Sequence, residues 1–182
     1  MDGFFLLNKE KGITSNQLVQ NIKKSLKFKK VGHLGTLDPM ATGLMVIAAN
    51  RATKFSSYFL ESDKSYHATV KLGCSTDTDD ALGKIIETSD NLPTEEHTHK
   101  VLNSFVGQSL QMAPFYSALK HKGKPLYKYA REGDFILKPP REINVFSIKD
   151  FNFDHDECSF LIHCSKGTYI RSIARDLGKK LG

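Results

Sequence analysis

The sequence predicts an α+β fold, on three observations. Apolar or alternating runs suited to strands fall at 3–8, 44–49, 65–73, 143–153 and 158–165. Amphipathic segments with helical spacing lie between them at irregular intervals, and the last two strand runs follow one another as a hairpin would. A regular alternation of strand and helix, the mark of a parallel α/β winding, is missing from that order.

GFFLLN at 3–8 is the first strand run, and TSNQLVQNIKKSLKF then changes to helical spacing. There Leu18, Ile22 and Leu26 share a stripe, Thr14 and Gln17 suit an N-cap and its capping box, and the trailing lysines complement the negative end of the helix dipole. A glycine-rich loop, GHLGTLDPMATG at 32–43, follows, and LMVIAA at 44–49 reads as a buried strand. RATKFSSYFLES places Ala52, Phe55 and Phe59 at helical spacing. SYHATVKLG at 65–73 alternates, with Tyr66, Ala68, Val70 and Leu72 on one face.

From Thr94 to Phe105 a threonine cap, two first-turn glutamates and Val101, Leu102 and Phe105 predict a helix. Residues 111–141 mix proline, glycine, three tyrosines and basic residues, as a protruding element would. Within them, PLYKYAREG predicts a short helix with Pro125 at its first position and Gly133 at its end. INVFSIKDFNF and CSFLIHCS are strands, the second carrying Cys158, Phe160, Ile162 and Cys164 on one face. The last helix, GTYIRSIARDLGKKLG, has Thr168 as its expected cap and Ile170, Ile173, Ala174, Leu177 and Leu181 as its buried stripe.

With 182 residues, 40% of them hydrophobic, the chain can bury one sizeable core, and its length favours one domain. No apolar run nears the roughly 20 residues that span a bilayer, and the N-terminus has no signal-peptide pattern, so a cytoplasmic location is expected. Cys74, Cys158 and Cys164 are odd in number and lack C-x-x-C spacing. That argues against a disulfide framework or structural zinc and for buried thiols. The net charge of +6 is unevenly spread: residues 1–54 hold nine Lys/Arg against three Asp/Glu, and 119–141 hold seven against two. Residues 55–118 are acidic, with four against nine. Two basic blocks fit a polyanion partner, and a solvated lysine-rich face fits the same charge pattern.

Asp38 is the sole carboxylate of the glycine-rich loop. The loop contains no P-loop pattern for cradling phosphate, and no second carboxylate stands nearby for glycosidase chemistry. Asp-Pro can also simply begin a turn. Other candidates are Tyr66 with Lys64 beside it, His33 as an exposed loop aromatic able to stack on a base, and Tyr169 with Arg171 at the start of the last helix. An arginine reaching a carboxylate such as Asp38 would hold it ionised and oriented.

These residues resemble the TruB family of bacterial tRNA pseudouridine synthases. The likeness runs through LNKEKGITSNQLV, GHLGTLDPMATGLM, KSYHATVKLGCSTDTDDALG, PFYSALKHKGKPLYKYAREG and KGTYIRSIARDLGKKLG. It implies the pseudouridine synthase fold, a mixed, largely antiparallel sheet flanked by helices, as one catalytic domain over 1–182, with about 111–141 as an RNA-gripping thumb. It implies isomerisation of uridine 55 in the TΨC loop of tRNA, with Asp38 essential, Tyr66 stacking on the captured base and removing the C5 proton, and Arg171 pairing with Asp38. His33 would replace the extruded uridine in the stack, and Tyr169 would hold the target nucleotide. Lys9, Lys64 and Asp77 match positions beside the site and would be among the substrate-binding residues.

The implied chemistry needs no redox cofactor and no metal, and the expected partner is tRNA, with no guide RNA, no membrane and a monomeric protein. Extruding a stacked base costs a few kcal/mol and calls for an aromatic filler and a stacking platform. Two departures from the family pattern stand out. Lys9-Glu10-Lys11-Gly12 replaces the usual K-P-x-G, which predicts a less rigid and more charged loop. The family also continues past the position of Gly182 into a further strand and usually a PUA domain, both expected to be absent here. A tRNA-binding or tRNA-folding module with little turnover is therefore the alternative expectation.

Overall fold

The computed structural model describes residues 1–182, which divide into two units, Met1–Ser62 and Asp63–Gly182. In the first unit β1 (Gly3–Lys9) is followed by α1 (Ser15–Ser25), β2 (Val31–His33) and β3 (Gly43–Ala49). The strands form an antiparallel sheet ordered β1-β3-β2, with Lys9 opposite Gly43 and His33 opposite Ile47. Alternation along β1 turns Phe5 and Leu7 toward Val19, Met45 and Ile47, while Leu6 on the opposite face is 69% exposed.

Thr14 and Gln17 form the expected capping box at the start of α1. The buried stripe differs from the expected one. Val19 and Ser15 are its buried members, and Leu26, at the C-cap, is 49% exposed because the helix ends there. After β3 the chain winds as a 3₁₀ helix over Asn50–Phe55 before α2 (Ser56–Leu60). Ala52 is buried as expected, but Phe55 sits where the pitch changes and is 53% exposed.

The second unit contains β4 (Lys64–Lys71), β5 (Cys74–Thr76), β6 (Ile85–Thr88), α3 (Glu95–Asn103) and β7 (Gly107–Gln111). Then come β8 (Lys120–His121), β9 (Lys124–Pro125), α4 (Leu126–Arg131), β10 (Arg141–Asp154), β11 (Glu157–Cys164) and α5 (Ile170–Leu181). The main sheet runs β4-β11-β10-β7, and β5-β6 and β8-β9 are separate hairpins; every pairing is antiparallel. Ala68, Val70, Phe160 and Ile162 pack with Leu102 of α3 and Ile173 and Leu177 of α5 in one core. The alternation read in β4 and β11 is thus the inward face of this sheet.

Two helix starts fall elsewhere than expected. Pro125 is the N-cap of α4, with extended backbone, and the helix begins at Leu126. Tyr169, not Thr168, is the N-cap of α5 and supplies no side-chain cap; the Thr168 hydroxyl instead donates to the carbonyl of Ser165 at 2.9 Å. Residues 111–141 hold the β8-β9 hairpin and α4, whose Leu126 and Ala130 are buried. No helix is long and apolar enough to cross a membrane.

The three cysteines are free, Cys158 and Cys164 buried and Cys74 half-buried. Burial pushes the Cys158 thiol up to about 11. Because thiolate is the reactive form, alkylation of the native protein near pH 8 should label Cys74 first, with Cys158 and Cys164 reacting only on unfolding. Peptide mass spectrometry of timed labelling checks this; equal rates at the three positions would contradict the packing described.

Candidate active site

Asp38 is held through both of its neighbours. The Ser15 hydroxyl accepts from the backbone N–H of Leu37 at 3.0 Å and donates to the carbonyl of Leu37 at 2.9 Å. On the other side the Pro39 carbonyl accepts from Gly12 N–H at 2.8 Å and from the Lys9 ammonium at 3.3 Å. A turn bond from Ala41 N–H to the Asp38 carbonyl, 3.0 Å, closes the loop behind it.

Lys9 is fully buried. Its ammonium also donates to the carbonyls of Ile13 at 2.8 Å and Glu10 at 2.9 Å, so its three N–H groups meet three acceptors. Burial pushes its pKa down, opposed by the negative charge of Asp38. Lys9, expected among the substrate-binding residues, ties the Lys9–Ile13 turn to the Asp38 loop. His33 differs from its expected exposed loop position. It ends β2, half-buried, with Nδ1 shielded and without a hydrogen-bond partner.

In the second unit Tyr66 lies on β4 opposite Ile162 and packs, half-buried, against the core. Lys64 begins the same strand; burial lowers its pKa, against the raising effect of Asp63 and Cys164. Arg171, in the first turn of α5, donates to the carbonyls of Tyr116 at 2.9 Å and Thr78 at 3.2 Å. Asp77, one residue before Thr78, accepts the N–H of Lys84 at 2.8 Å and so closes the turn between β5 and β6. That turn is crowded: a Cβ on Gly83 would lie 2.6 Å from the Asp77 carboxylate.

The same helix carries residues that the sequence reading did not single out. Arg175 bonds Asp79 at 2.9 Å and the Met112 carbonyl at 3.0 Å, and Ser172 donates to the same carbonyl at 2.8 Å. Burial pushes the Asp79 carboxyl up against the opposing pull of Arg175. The carboxamide of Gln111, at the end of β7, accepts from Tyr169 N–H at 2.8 Å and donates to the Tyr169 carbonyl at 3.1 Å. Ser15 had a signal of its own, a small polar residue four positions before Val19 on the buried side of α1. For Gln111, Ser172 and Arg175, partners 60 or so residues away left no local trace.

No group of three or more His, Cys, Asp or Glu side chains is placed to hold a metal ion. An open cleft of about 700 Å³ lined by Thr94, Glu95, Glu96, His99 and Phe151 contains none of the candidate residues.

Residues 23–170 match the TruB family pseudouridylate synthase N-terminal domain. The chain belongs to that family. Among TruB relatives, a chain from Francisella philomiragia named tRNA pseudouridine synthase B is 48% identical over all of this chain and 61% of its own length. A Shewanella pealeana chain of the same name is 47% identical over all of this chain and 58% of its own length. The chain thus spans about three-fifths of the length of these relatives. Among solved structures, a Cbf5-Nop10-Gar1 complex is 29% identical with a TM-score of 0.74, matching 99% of this chain and 44% of that one. An H/ACA RNP bound to a substrate RNA containing 2'-deoxyuridine is 26% identical with a TM-score of 0.71, over 99% of this chain and 43% of that one. The pseudouridine synthase fold expected from the sequence accords with these likenesses.

Lys9→Met would remove the charged donor and leave three carbonyls facing an apolar side chain. The expected cost is on the order of 3 kcal/mol, with faster hydrogen exchange at Gly12, Leu37 and Ala41. Urea unfolding and amide exchange measure both. Unchanged exchange at these amides would show that the loop does not depend on Lys9.

Proposed function

We propose that the protein isomerises uridine to pseudouridine in tRNA, at position 55 of the TΨC loop, in the cytoplasm, as a monomer and without a guide RNA. The observation that carries this reading is the double anchoring of Asp38, whose neighbours Leu37 and Pro39 are both pinned by side chains of the first unit. A loop whose only purpose was to turn would not need a buried lysine and a buried serine to hold its single carboxylate. Higher identity to chains named tRNA pseudouridine synthase B than to the H/ACA structures supports the unguided, tRNA-directed reading.

In this reading both units belong to one catalytic domain, and residues 111–141 are the thumb that grips RNA. Asp38 is the essential carboxylate. The C1′–N1 bond breaks, the uracil turns, and C1′ joins C5. The C5 proton then leaves, and N1 ends protonated. His33 fills the vacated place in the loop, Tyr66 stacks on the captured uracil and takes the C5 proton, and Tyr169, Lys64 and Asp77 support the bound nucleotide. Lys9 serves by fixing the loop. Arg171 is the ion-pair partner of Asp38, a role supported by its guanidinium being fixed by two carbonyls. The side chains supply stacking, positioning and one carboxylate, and the reaction is redox-neutral, so it draws on no cofactor.

Release of tritium from [5-³H]uridine-labelled tRNA is the deciding assay, because the C5 proton leaves only after the new bond forms. The protein should release tritium, and Asp38→Asn should lose at least about a thousandfold in rate, the scale expected when an essential catalytic carboxylate is removed. Retained tRNA binding with no release by either protein would favour the tRNA-binding module instead. If Arg171 orients Asp38, Arg171→Ala and Asp38→Asn should be strongly non-additive: the double variant should be no slower than Asp38→Asn alone. Additive losses would separate the two residues.

A further inference from the structure

Arg141 opens β10 and stands opposite Gln111 in the register of β7 and β10. From these paired positions the two side chains converge on Tyr169. Gln111 grips its backbone, and the Arg141 guanidinium lies over its ring, 4.5 Å from the centroid. Gly167, with φ of 78°, approaches so closely that a Cβ there would lie 3.3 Å from Nη1. The guanidinium is therefore fixed in place by stacking and by the chain beside it.

Stacking uses the face of a guanidinium, while its five N–H donors lie in the plane. No protein acceptor meets those of Arg141, and Nε is shielded with no partner. Buried donors left in this state are rare because each forfeits its bonds to water. Arg175, on the neighbouring helix, has carbonyl or carboxylate partners for Nε, Nη1 and Nη2 alike. Arg141 also ends the second basic block of the sequence. A planar, oriented, unmatched set of donors suits an oxyanion with two oxygens to offer.

We propose that Arg141 binds a backbone phosphodiester of the RNA, next to the nucleotide that Tyr169 holds. This rests on the reading of the protein as an RNA-modifying enzyme. It adds a phosphate-binding position whose donors are preset by the Tyr169 ring rather than by an ion pair.

The test compares the protein with Arg141→Gln and Arg141→Lys for binding a TΨC stem-loop across a salt series. A second series of stem-loops carries one uncharged methylphosphonate linkage at each position in turn. Arg141→Gln should weaken binding roughly tenfold or more and reduce the slope of log K against log salt by about 0.7 to 0.9. Arg141→Lys should keep most of the slope while losing affinity, because it retains the charge without the fork. At one linkage the methylphosphonate should weaken the parent but not Arg141→Gln.

An unchanged salt slope, or no linkage that couples to Arg141, would overturn the proposal. So would a lowered thermal midpoint accompanied by weaker binding at unchanged slope, the signature of a residue that only supports Tyr169. Failure of the parent to bind the stem-loop at all would overturn the RNA reading together with this one. Normal binding and turnover by the parent without coupling would overturn this one alone.

Discussion

The buried ammonium of Lys9 is the constraint on which the Asp38 loop depends. A charge taken out of water has to recover its lost hydration from fixed acceptors, and here those are the carbonyls of Glu10, Ile13 and Pro39. Satisfying one side chain thus dictates the path of two chain segments 30 residues apart. The lack of proline in Lys9-Glu10-Lys11-Gly12 predicted a looser loop. Gly12, at φ 91°, makes the turn, and its N–H bonds Pro39, so side-chain and backbone bonds replace the stiffness that a ring would have supplied.

In the second unit α5 has the corresponding role. Its inward stripe, Ile173 and Leu177, packs in the core, and the first-turn and second-turn residues Arg171, Ser172 and Arg175 reach the segment 112–116 and the loop 78–79. Apolar burial fixes where the helix lies, and the polar bonds then fix two irregular segments against it. Such segments have few backbone partners of their own, so side-chain donors complete their hydrogen bonding.

The parts of the fold that were legible in the sequence are those with a strong period. β4 and β11 alternate, α1 carries its capping box, and α5 shows a stripe about three turns long. The strands that escaped notice, β2, β5, β6, β8 and β9, are two to four residues long, too short for a period to register. β7, GQSLQ, is polar and pairs only at the sheet edge. Among the candidate residues, Asp38, Tyr66, Tyr169 and Arg171 stood out by residue type and motif. Gln111, Arg141, Ser172 and Arg175 did not, since a serine on a helix or an arginine beside a strand acquires its meaning from a partner far along the chain. Thr168 shows the converse: a good cap by type, it was drawn away by a nearer carbonyl.

Pinning Leu37 and Pro39 also bears on time. With Leu37 bonded to the buried Ser15 hydroxyl, Pro39 to the buried Lys9 ammonium and the Asp38 carbonyl to Ala41 N–H, the carboxylate can adjust chiefly through its two side-chain torsions, which relax in picoseconds to nanoseconds. Catalytic loops that must close over their substrates move a thousandfold or more slowly. In the function proposed above, the slow conformational clock would then lie in the RNA, in the opening of its loop, with the carboxylate already in place.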